Sequence, residues 1–529
     1  MSSHKAAPRL PPEMLCRIVE YTPRPSDLKS LCLVTKEFRD AATPALYHTI
    51  VLDEKTTQWP KLRIGRGLLS VGNGGLAHKI SDFANIPLDA ATVTTLFTQQ
   101  SRLQSLALGP IVADLDKHLQ LNAFGLDRWS SLRELRIPTH IWNKSDLDAY
   151  GVIIKNAPQL SHLSIHCRQL METNNGFIQS ADAKKNDIFS RVFTGKDRNP
   201  LSSLHLDGVD LSVVAFNYPR YFDPCRLQEL HISACTNWSF FLQTFAECFT
   251  ETECNLRNFS VEVGIELDPV RVLEEFLCSF TGLEAFRYSD QRDGYSGEVA
   301  WGLLYCLEGH LSSLKQLTIV PGDGRNCEFR EIVLEVECLE KISTRCTNLR
   351  QLGIVMPPTS TSGAHKHHSC YSRTLLKLLQ LPSLRVLRIL NWPETLDFPT
   401  VSPSYHLLER MDDEELVEEL NMEIEEQVNN LHRSMFLQQM DIFAAGLLPQ
   451  AFRAMRKTHD LPIVCFTGFK GNQILDDAGM EVSPDAACYV PVRHIDIFGA
   501  EAVTAQRVPL IDARYLEPEN EILRWRHGD

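Results

Sequence analysis

Histidine and cysteine side chains form the one cluster in this sequence with the residue types of a metal site. His365, His367, His368 and Cys370 lie within six residues of one another, and imidazole nitrogens and thiolates are ligands that zinc prefers. They lie in PPTSTSGAHKHHSCYS, a Pro-, Ser- and Thr-rich segment that is typical of a loop. No second ligand pair follows to complete a closed tetrahedral site. The sequence therefore predicts a loop here and no metal ligands.

Glycines in VGNGGLAHK (Gly72, Gly74 and Gly75) resemble a phosphate-binding loop only in composition. A phosphate-binding loop needs a strand before it, a helix after it and a lysine at fixed spacing, and this segment has none of these. The sequence also has no G-x-S-x-G nucleophile turn and no H-E-x-x-H metal helix. We therefore expect a protein that is not an enzyme, with no catalytic residues and no cofactor.

Length and charge narrow the classes of partner. The chain has 529 residues, 43% of them hydrophobic, which is too long for one ordinary domain and apolar enough for a large core. Its net charge is −14, and the segment 409–426 alone contributes ten carboxylates against one arginine. Nucleic acids and anionic membranes attract clustered Lys and Arg. We therefore expect neither as a partner.

Cysteine usage and hydropathy indicate the compartment. Fifteen cysteines are scattered with no C-x-x-C pair, and the first residues, MSSHKAAPRLPPEML, contain no apolar signal core. No apolar run approaches the roughly 20 residues that span a bilayer. These features predict reduced thiols in a cytoplasmic or nuclear protein.

An internal repeat dominates residues 100–390. The pattern L-x-x-L-x-L, with aliphatic or aromatic residues allowed at each anchor, occurs ten times at intervals of 26 to 41 residues. The first anchors are Leu103, Leu132, Leu160, Leu201, Leu227, Leu256, Leu283, Leu314, Leu349 and Leu384. Helical patterns precede the strands, as in 145–158 and 268–283. This repeat predicts an α/β leucine-rich-repeat solenoid over 49–392, with a curved parallel sheet and helices on its convex side.

Side chains between the anchors are candidates for binding. Because side chains alternate along a strand, the anchors should point into the core and the residues between them to the concave face. The predicted substrate-binding residues on that face are Arg136, His205, His231, Arg287 and Arg388.

A segment of different character precedes the repeats. Pro11 and Pro12 predict the start of a first helix, and a Ser26 or Asp27 cap predicts a second that runs toward Phe38. A short third helix is predicted over 43–47, followed by a first strand over 49–52. Roughly 40 residues bury too little surface to be stable alone, so their leucines need the solenoid or a partner protein.

This segment resembles an F-box in the form common in fungal proteins. LPPEML opens it, LCLVTKEFRD forms its middle, with Phe38 where many members have Trp, and ATPALYHTIVL closes it. With the repeats, the chain resembles an F-box protein with leucine-rich repeats. The resemblance implies that a three-helix F-box over 8–48 binds the Skp adaptor, and through it a cullin, while the repeats bind a protein substrate.

The resemblance also implies which side chains meet the adaptor. They are Leu10, Pro11, Leu15, Ile18, Leu28, Leu31, Val34 and Phe38. Core positions and interface positions share one apolar composition, so Leu15, Ile18 and Leu31 are equally expected to pack the helices together.

The last third of the chain departs from the repeat. Residues 393–445 predict a Pro-containing loop and an acidic helical insertion, whose helix covers 405–431 and has a buried stripe. Residues 446–529 predict a last repeat or cap, in which Leu461, Val464 and Phe466 return to the pattern. Strands predicted over 488–492 and 494–498 would close the open edge of the sheet.

Two functions are consistent with these features. The first is the substrate-recognition subunit of a Skp-cullin-F-box ubiquitin ligase. The second is a non-catalytic repeat scaffold that binds a partner outside such a ligase.

Overall fold

The computed structural model forms two compact units, Met1–Thr244 and Phe245–Asp529. The structure describes residues 10–22, 25–46, 49–52, 79–82, 103–107, 131–137, 150–151, 153–155, 157–166, 200–212, 221–251, 253–263, 269–290, 298–320, 336–356, 370–379, 381–390, 434, 437–438, 440–453, 461–466, 474–475, 481–482 and 487–509. The predicted acidic helix, the Gly72–Gly75 segment and the three histidines His365, His367 and His368 lie outside these residues.

Three short helices open the first unit: α1 (Pro12–Glu20), α2 (Pro25–Leu31) and α3 (Lys36–Leu46). The Pro11 carbonyl accepts the N–H groups of Met14 and Leu15 at 3.0 and 3.2 Å. Pro12 suits the first helical position, where a backbone N–H would have no partner inside the helix. Residues 32–34 form a turn, after which the Thr35 hydroxyl caps α3 by accepting the Phe38 N–H at 3.2 Å. The prediction of one helix running from residue 26 toward Phe38 is therefore wrong.

Seven parallel strands follow in the first unit, each beside its neighbour in the chain: β1 (Thr49–Leu52), β2 (Lys79–Asp82), β3 (Ser105–Ala107), β4 (Glu134–Ile137), β5 (His162–His166), β6 (Ser203–Asp207) and β7 (Glu229–Ser233). The predicted helix before β5 is described at 150–151 and 153–155, where Tyr150 and Ile153 are fully buried.

The second unit contains six further parallel strands in chain order: β8 (Asn258–Val263), β9 (Ala285–Asp290), β10 (Gln316–Val320), β11 (Gln351–Ile354), β12 (Val386–Ile389) and β13 (Ile463–Phe466). Five helices alternate with strands from β7 onward: α4 (Trp238–Glu251), α5 (Pro269–Cys278), α6 (Glu298–Cys306), α7 (Val336–Arg345) and α8 (Cys370–Leu379). A further helix occupies residues 440–453. This alternation of parallel strands and helices is consistent with an α/β solenoid.

Antiparallel strands end the second unit. A two-residue pair joins β14 (Ile474–Leu475) to β15 (Glu481–Val482), and a long hairpin joins β16 (Ala487–Ile495) to β17 (Glu501–Val508). β16 pairs antiparallel with β13, as expected of a cap on that edge. The separate strand predicted over 494–498 is wrong, because Asp496 turns the chain there by accepting the N–H groups of Phe498 and Ala500.

The repeat anchors form the core of both units. Every anchor among the described residues is at most 6% exposed; Leu108 lies outside them. Apolar side chains of the helices are buried as well, and α5 buries Val272, Leu273, Phe276 and Leu277. Burying a Leu, Ile or Phe side chain contributes roughly 1.5–3 kcal/mol. The repeat anchors therefore contribute a substantial part of the apolar burial that holds the strands together.

Backbone hydrogen bonds recur at the same place in successive copies. The carbonyl of the residue after the first anchor accepts two consecutive N–H groups from the next strand. Arg133 and Glu134 donate to Gln104 at 2.8 and 2.9 Å, and Lys315 and Gln316 donate to Glu284 at 2.7 and 3.0 Å. These bonds fix the register that places equivalent residues of neighbouring strands side by side.

Candidate adaptor-binding helices and polar sheet face

Helix α1 has one buried face and one exposed apolar face. Leu15 and Val19 are each 6% exposed and point into the helical bundle. Met14 and Tyr21, seven residues apart and so on one side of the helix, are 50% and 80% exposed. Leu10, immediately before the helix, is 48% exposed. An apolar face left open to water is the usual mark of a protein-binding surface.

The turn between α2 and α3 adds a second exposed apolar site. Leu33 and Val34 are 82% and 61% exposed. Their N–H groups donate to the carbonyls of Ser30 and Leu31 at 3.0 and 3.1 Å, so the backbone that presents them is held in place.

The eight predicted adaptor-binding residues divide into three groups. Leu10, Pro11 and Val34 are exposed, while Ile18, Leu31 and Phe38 are partly buried. Leu15 and Leu28 are buried, and Leu28 packs with Val19 and Ala42. We therefore assign Leu15 and Leu28 to support of the helices.

Sequence reasoning did not select Met14, Tyr21 or Leu33. A signal for Met14 and Tyr21 was present, since both lie on the side of α1 opposite the Leu15–Val19 stripe. No comparable periodicity marks Leu33, because it lies in a turn.

Residues 7–53 match the F-box-like family model. The match covers α1 to α3 and β1, a little more than the predicted 8–48. It supports an F-box protein, and an F-box-like domain suggests an adaptor role in a Skp-cullin-F-box ligase. No curated protein matches the sequence.

A polar surface covers the outward side of β4 to β7 in the same unit. Arg136, Ser164, His205 and His231 are register partners on four successive strands. Because strands in a sheet are about 4.8 Å apart, this row is about 15 Å long. Arg136 is exposed, and His205 and His231 are partly buried. The structure thus brings together three of the five predicted substrate-binding residues.

Glu229 is the charged centre of this polar surface. Its carboxylate accepts the Ser203 hydroxyl at 2.9 Å and lies 3.2 Å from His205 Nε2, to which it makes no hydrogen bond. Burial raises the pKa of Glu229, but His205, the Ser203 hydroxyl and the charge of His162 outweigh it and lower the pKa to about 2. Glu229 is therefore ionised at neutral pH.

A second set of contacts orients His166 at one end of the strands. His166 Nδ1 lies 3.4 Å from Asp207 Oδ2, and His166 Nε2 lies 2.8 Å from the Ser164 hydroxyl. The rings of His205 and His231 are 5.4 Å apart between centroids. Imidazoles and carboxylates therefore lie side by side on this surface and present hydrogen-bonding and charged groups.

Arg388, in the second unit, does not have the predicted exposure. It is 5% exposed, and its register partners are Gly353 and Cys465. The outward side of β10 to β13 is buried and largely apolar, with clusters formed by Val320, Val355 and Leu390 and by Val386, Ile463, Cys465 and Cys488. The prediction that Arg388 points to an open face is therefore wrong. Arg287, on β9, is partly buried.

Within the described part of the chain, no group of three or more His, Cys, Asp or Glu side chains is arranged to hold a metal ion. No helix in the described ranges is both long enough and apolar enough to cross a membrane.

Proposed function

We propose that this protein is a substrate-recognition subunit of a Skp-cullin-F-box ubiquitin ligase. The F-box-like match over residues 7–53 is the observation that carries the proposal. In this role the three helices bind the Skp adaptor, the adaptor brings the cullin, and the sheet face of the repeats binds a protein substrate. The subunit itself performs no catalysis and acts in the cytoplasm or nucleus.

The exposed apolar side chains of α1 and of the α2–α3 turn support the adaptor contact. The three helices are too small to cover all their own apolar surface. The side chains left exposed are Leu10, Met14, Tyr21, Leu33 and Val34. Buried apolar anchors dominate protein interfaces, so these five side chains supply the contact energy.

We infer further that the repeats are leucine-rich repeats and that the helices form a three-helix F-box of the fungal type. Burial of the L-x-x-L-x-L anchors and the alternation of parallel strands with helices support the first inference. Helices α1 to α3 and the LPPEML and LCLVTKEFRD motifs support the second.

Co-purification with the Skp adaptor tests the adaptor contact. We expect the wild-type chain to capture the adaptor, and Val34→Asp to reduce capture at least tenfold, because a carboxylate would be buried in an apolar contact. Tyr305→Asp is the matched control, since Tyr305 is 58% exposed in the second unit against 61% for Val34. Equal capture of the adaptor by wild type and Val34→Asp would contradict the proposed contact through these helices.

Recovery of the cullin separates the ligase from the scaffold. A ligase subunit brings cullin down with the adaptor, whereas a scaffold that acts outside the ligase brings down the adaptor alone or neither protein.

The polar face of β4 to β7 is our candidate substrate surface. Arg136, His205 and His231 share one row beside the ionised Glu229, which suits a polar protein segment. Proximity labelling by wild type and by the Arg136→Glu, His231→Ala double variant identifies the substrate as the protein whose labelling falls in the variant. Adaptor capture by the variant shows that the chain is folded.

A further inference from the structure

Strand β17 is an edge of the sheet in the second unit. Among the described residues its only strand neighbour is β16, and no described strand pairs with the other row of its backbone N–H and C=O groups. β16 covers the edge of β13, and the hairpin thereby creates a new edge at β17. An open edge is a template for another strand.

The sequence of β17 lacks several of the devices that prevent pairing, and the charged residues it does carry are Glu501 and Arg507. Glu501–Val508, EAVTAQRV, contains no lysine and no proline. Its eight residues pair with β16 one to one, from Ile495–Glu501 to Cys488–Val508, without a bulge. Edges that avoid association carry lysine, proline or bulges, or are very short.

The charges on β17 are arranged symmetrically. Side chains alternate along a strand, so Glu501, Val503, Ala505 and Arg507 lie on one face. Glu501 and Arg507 are equally far from Thr504, three residues on either side. In an antiparallel pair of two β17 strands centred on Thr504, Glu501 of each copy is opposite Arg507 of the other. Opposite charges in directly facing positions stabilise a pair of strands, and like charges destabilise it.

Both charged side chains are accessible for such a contact. Glu501 is exposed, and the Arg507 side chain is 42% exposed. Arg507 Nη1 lies 3.4 Å from Asp441 Oδ2 on the helix 440–453. A guanidinium has five N–H donors, so Arg507 can keep Asp441 and still bind a second carboxylate. The contact with Asp441 also restricts Arg507 before a partner arrives.

From this geometry we propose that two copies of the chain associate through antiparallel pairing of their β17 strands about a twofold axis at Thr504. The resulting interface is self-complementary, with two Glu501–Arg507 ion pairs, and Val503 of each copy opposite Ala505 of the other. Closed twofold dimers are the commonest homo-oligomers. The association is independent of the proposed adaptor contact.

Charge exchange on the full-length chain tests the pairing by multi-angle light scattering after gel filtration. We expect wild type at micromolar concentration to have twice the 60.0 kDa monomer mass. Glu501→Arg and Arg507→Glu should each weaken self-association at least tenfold, because like charges then face each other twice. An equimolar mixture of the two variants should form a heterodimer, since one copy then carries arginine at both facing positions and the other carries glutamate at both.

Several results would overturn the proposal. A wild-type chain that is monomeric at 50 µM would contradict it. So would single variants that dimerise as well as wild type, or a mixture of the two variants that stays monomeric. Phe498→Ser is the matched control, because Phe498 is 87% exposed at the hairpin turn and outside the paired strand. Loss of the dimer in Phe498→Ser would assign association to the turn and not to the β17 edge. Thermal unfolding of each variant shows that it is folded.

Discussion

His310 is a fully buried histidine that links two consecutive copies of the repeat in the second unit. Its Nδ1 accepts the Leu283 N–H at 3.2 Å, so the proton is on Nε2, which donates to the Leu277 carbonyl at 2.9 Å. The ring also lies 4.9 Å from that of Phe280 between centroids. These contacts require neutral imidazole, because protonation at Nδ1 would set two donors against each other.

The ionisation of His310 makes stability depend on pH. Burial lowers the pKa of His310 below its ordinary 6.5, against a smaller opposing effect of the Leu277 carbonyl. Above pH 6.5 neither state is protonated there. Below it the unfolded chain binds a proton that the folded chain does not, so the free energy of unfolding falls as the pH drops toward the folded pKa. Denaturant titrations between pH 7.5 and 5 measure this slope.

Removal of the His310 imidazole should abolish its contribution to stability and to the pH dependence of stability. We expect His310→Ala to lose about 2–4 kcal/mol at pH 7.5, because two backbone groups lose partners and a cavity forms. It should also lose less further stability than wild type between pH 6.5 and 5. His494→Ala, at an exposed strand position, is the control and should match wild type. Identical pH slopes in His310→Ala and wild type would contradict this assignment.

Thiol reactivity should follow burial in the same way. Cys16 is exposed, whereas Cys306, Cys346, Cys465 and Cys488 are buried. Burial raises the pKa of Cys306 and of Cys346 to about 12. At neutral pH only a very small fraction of these thiols is the reactive thiolate, and the reagent cannot reach them in the folded chain. We expect a maleimide to label Cys16 within minutes and these four only after unfolding, as read from peptide masses. Labelling of all five at one rate in the folded chain would contradict the burial.

At the scale of elements, helices α5 and α6 approach each other at a glycine. A Cβ added to Gly302 of α6 would overlap Cγ1 of Val270 on α5. We expect Gly302→Ala to lower the free energy of unfolding by about 1–3 kcal/mol, the usual cost of overpacking. Gly309→Ala is the matched control, since no atom lies within 4 Å of its added Cβ. Chemical denaturation of both variants measures this difference. Equal free energies of unfolding would mean that α5 can shift away from the added methyl group without loss of stability.

The elements that the sequence predicted are those with a strong apolar period. Each L-x-x-L-x-L copy among the described residues became a strand, because its anchors all point into the core while the residues between them point to the other side of the sheet. β2 (Lys79–Asp82) was missed, since the segment KISD has one apolar residue and its pairing depends on β1 and β3. The hairpin was only partly predicted, because the turn depends on Asp496, whose side chain accepts two backbone N–H groups.

The candidate sites show the same division. Leu10 and Pro11, which the resemblance names, are exposed directly before α1, and their contact with the adaptor stays a prediction. Arg136 and Arg388 occupy equivalent positions in their copies, yet Arg136 is exposed and Arg388 is 5% exposed. Local sequence could not separate them, because the difference arises from what packs on the outward side of the sheet.

For the molecule as a whole, the parallel strands pair with their neighbours in the chain. A destabilising substitution in one strand should therefore affect mainly that strand and the two beside it. Leu317→Ala in β10 should cost about 2–5 kcal/mol and leave a cavity between β9 and β11. In repeat arrays each unit is stabilised by its direct neighbours. Hydrogen exchange should therefore accelerate in β9, β10 and β11 more than in β16 and β17. Uniform acceleration throughout the second unit would show that it unfolds as one cooperative block.

The paired hydrogen bonds at the start of each strand have a consequence for engineering. They join main-chain atoms alone, at positions occupied by Gln104, Ser161, Glu284, Lys315 and Arg350. Neither side-chain identity at these positions nor the length of the connection between copies enters the bond. A designer can therefore insert or delete connecting residues, or exchange the outward column Arg136–His205–His231, while the strand alignment stays fixed. Each column of outward side chains can thus be changed separately from the backbone of the sheet.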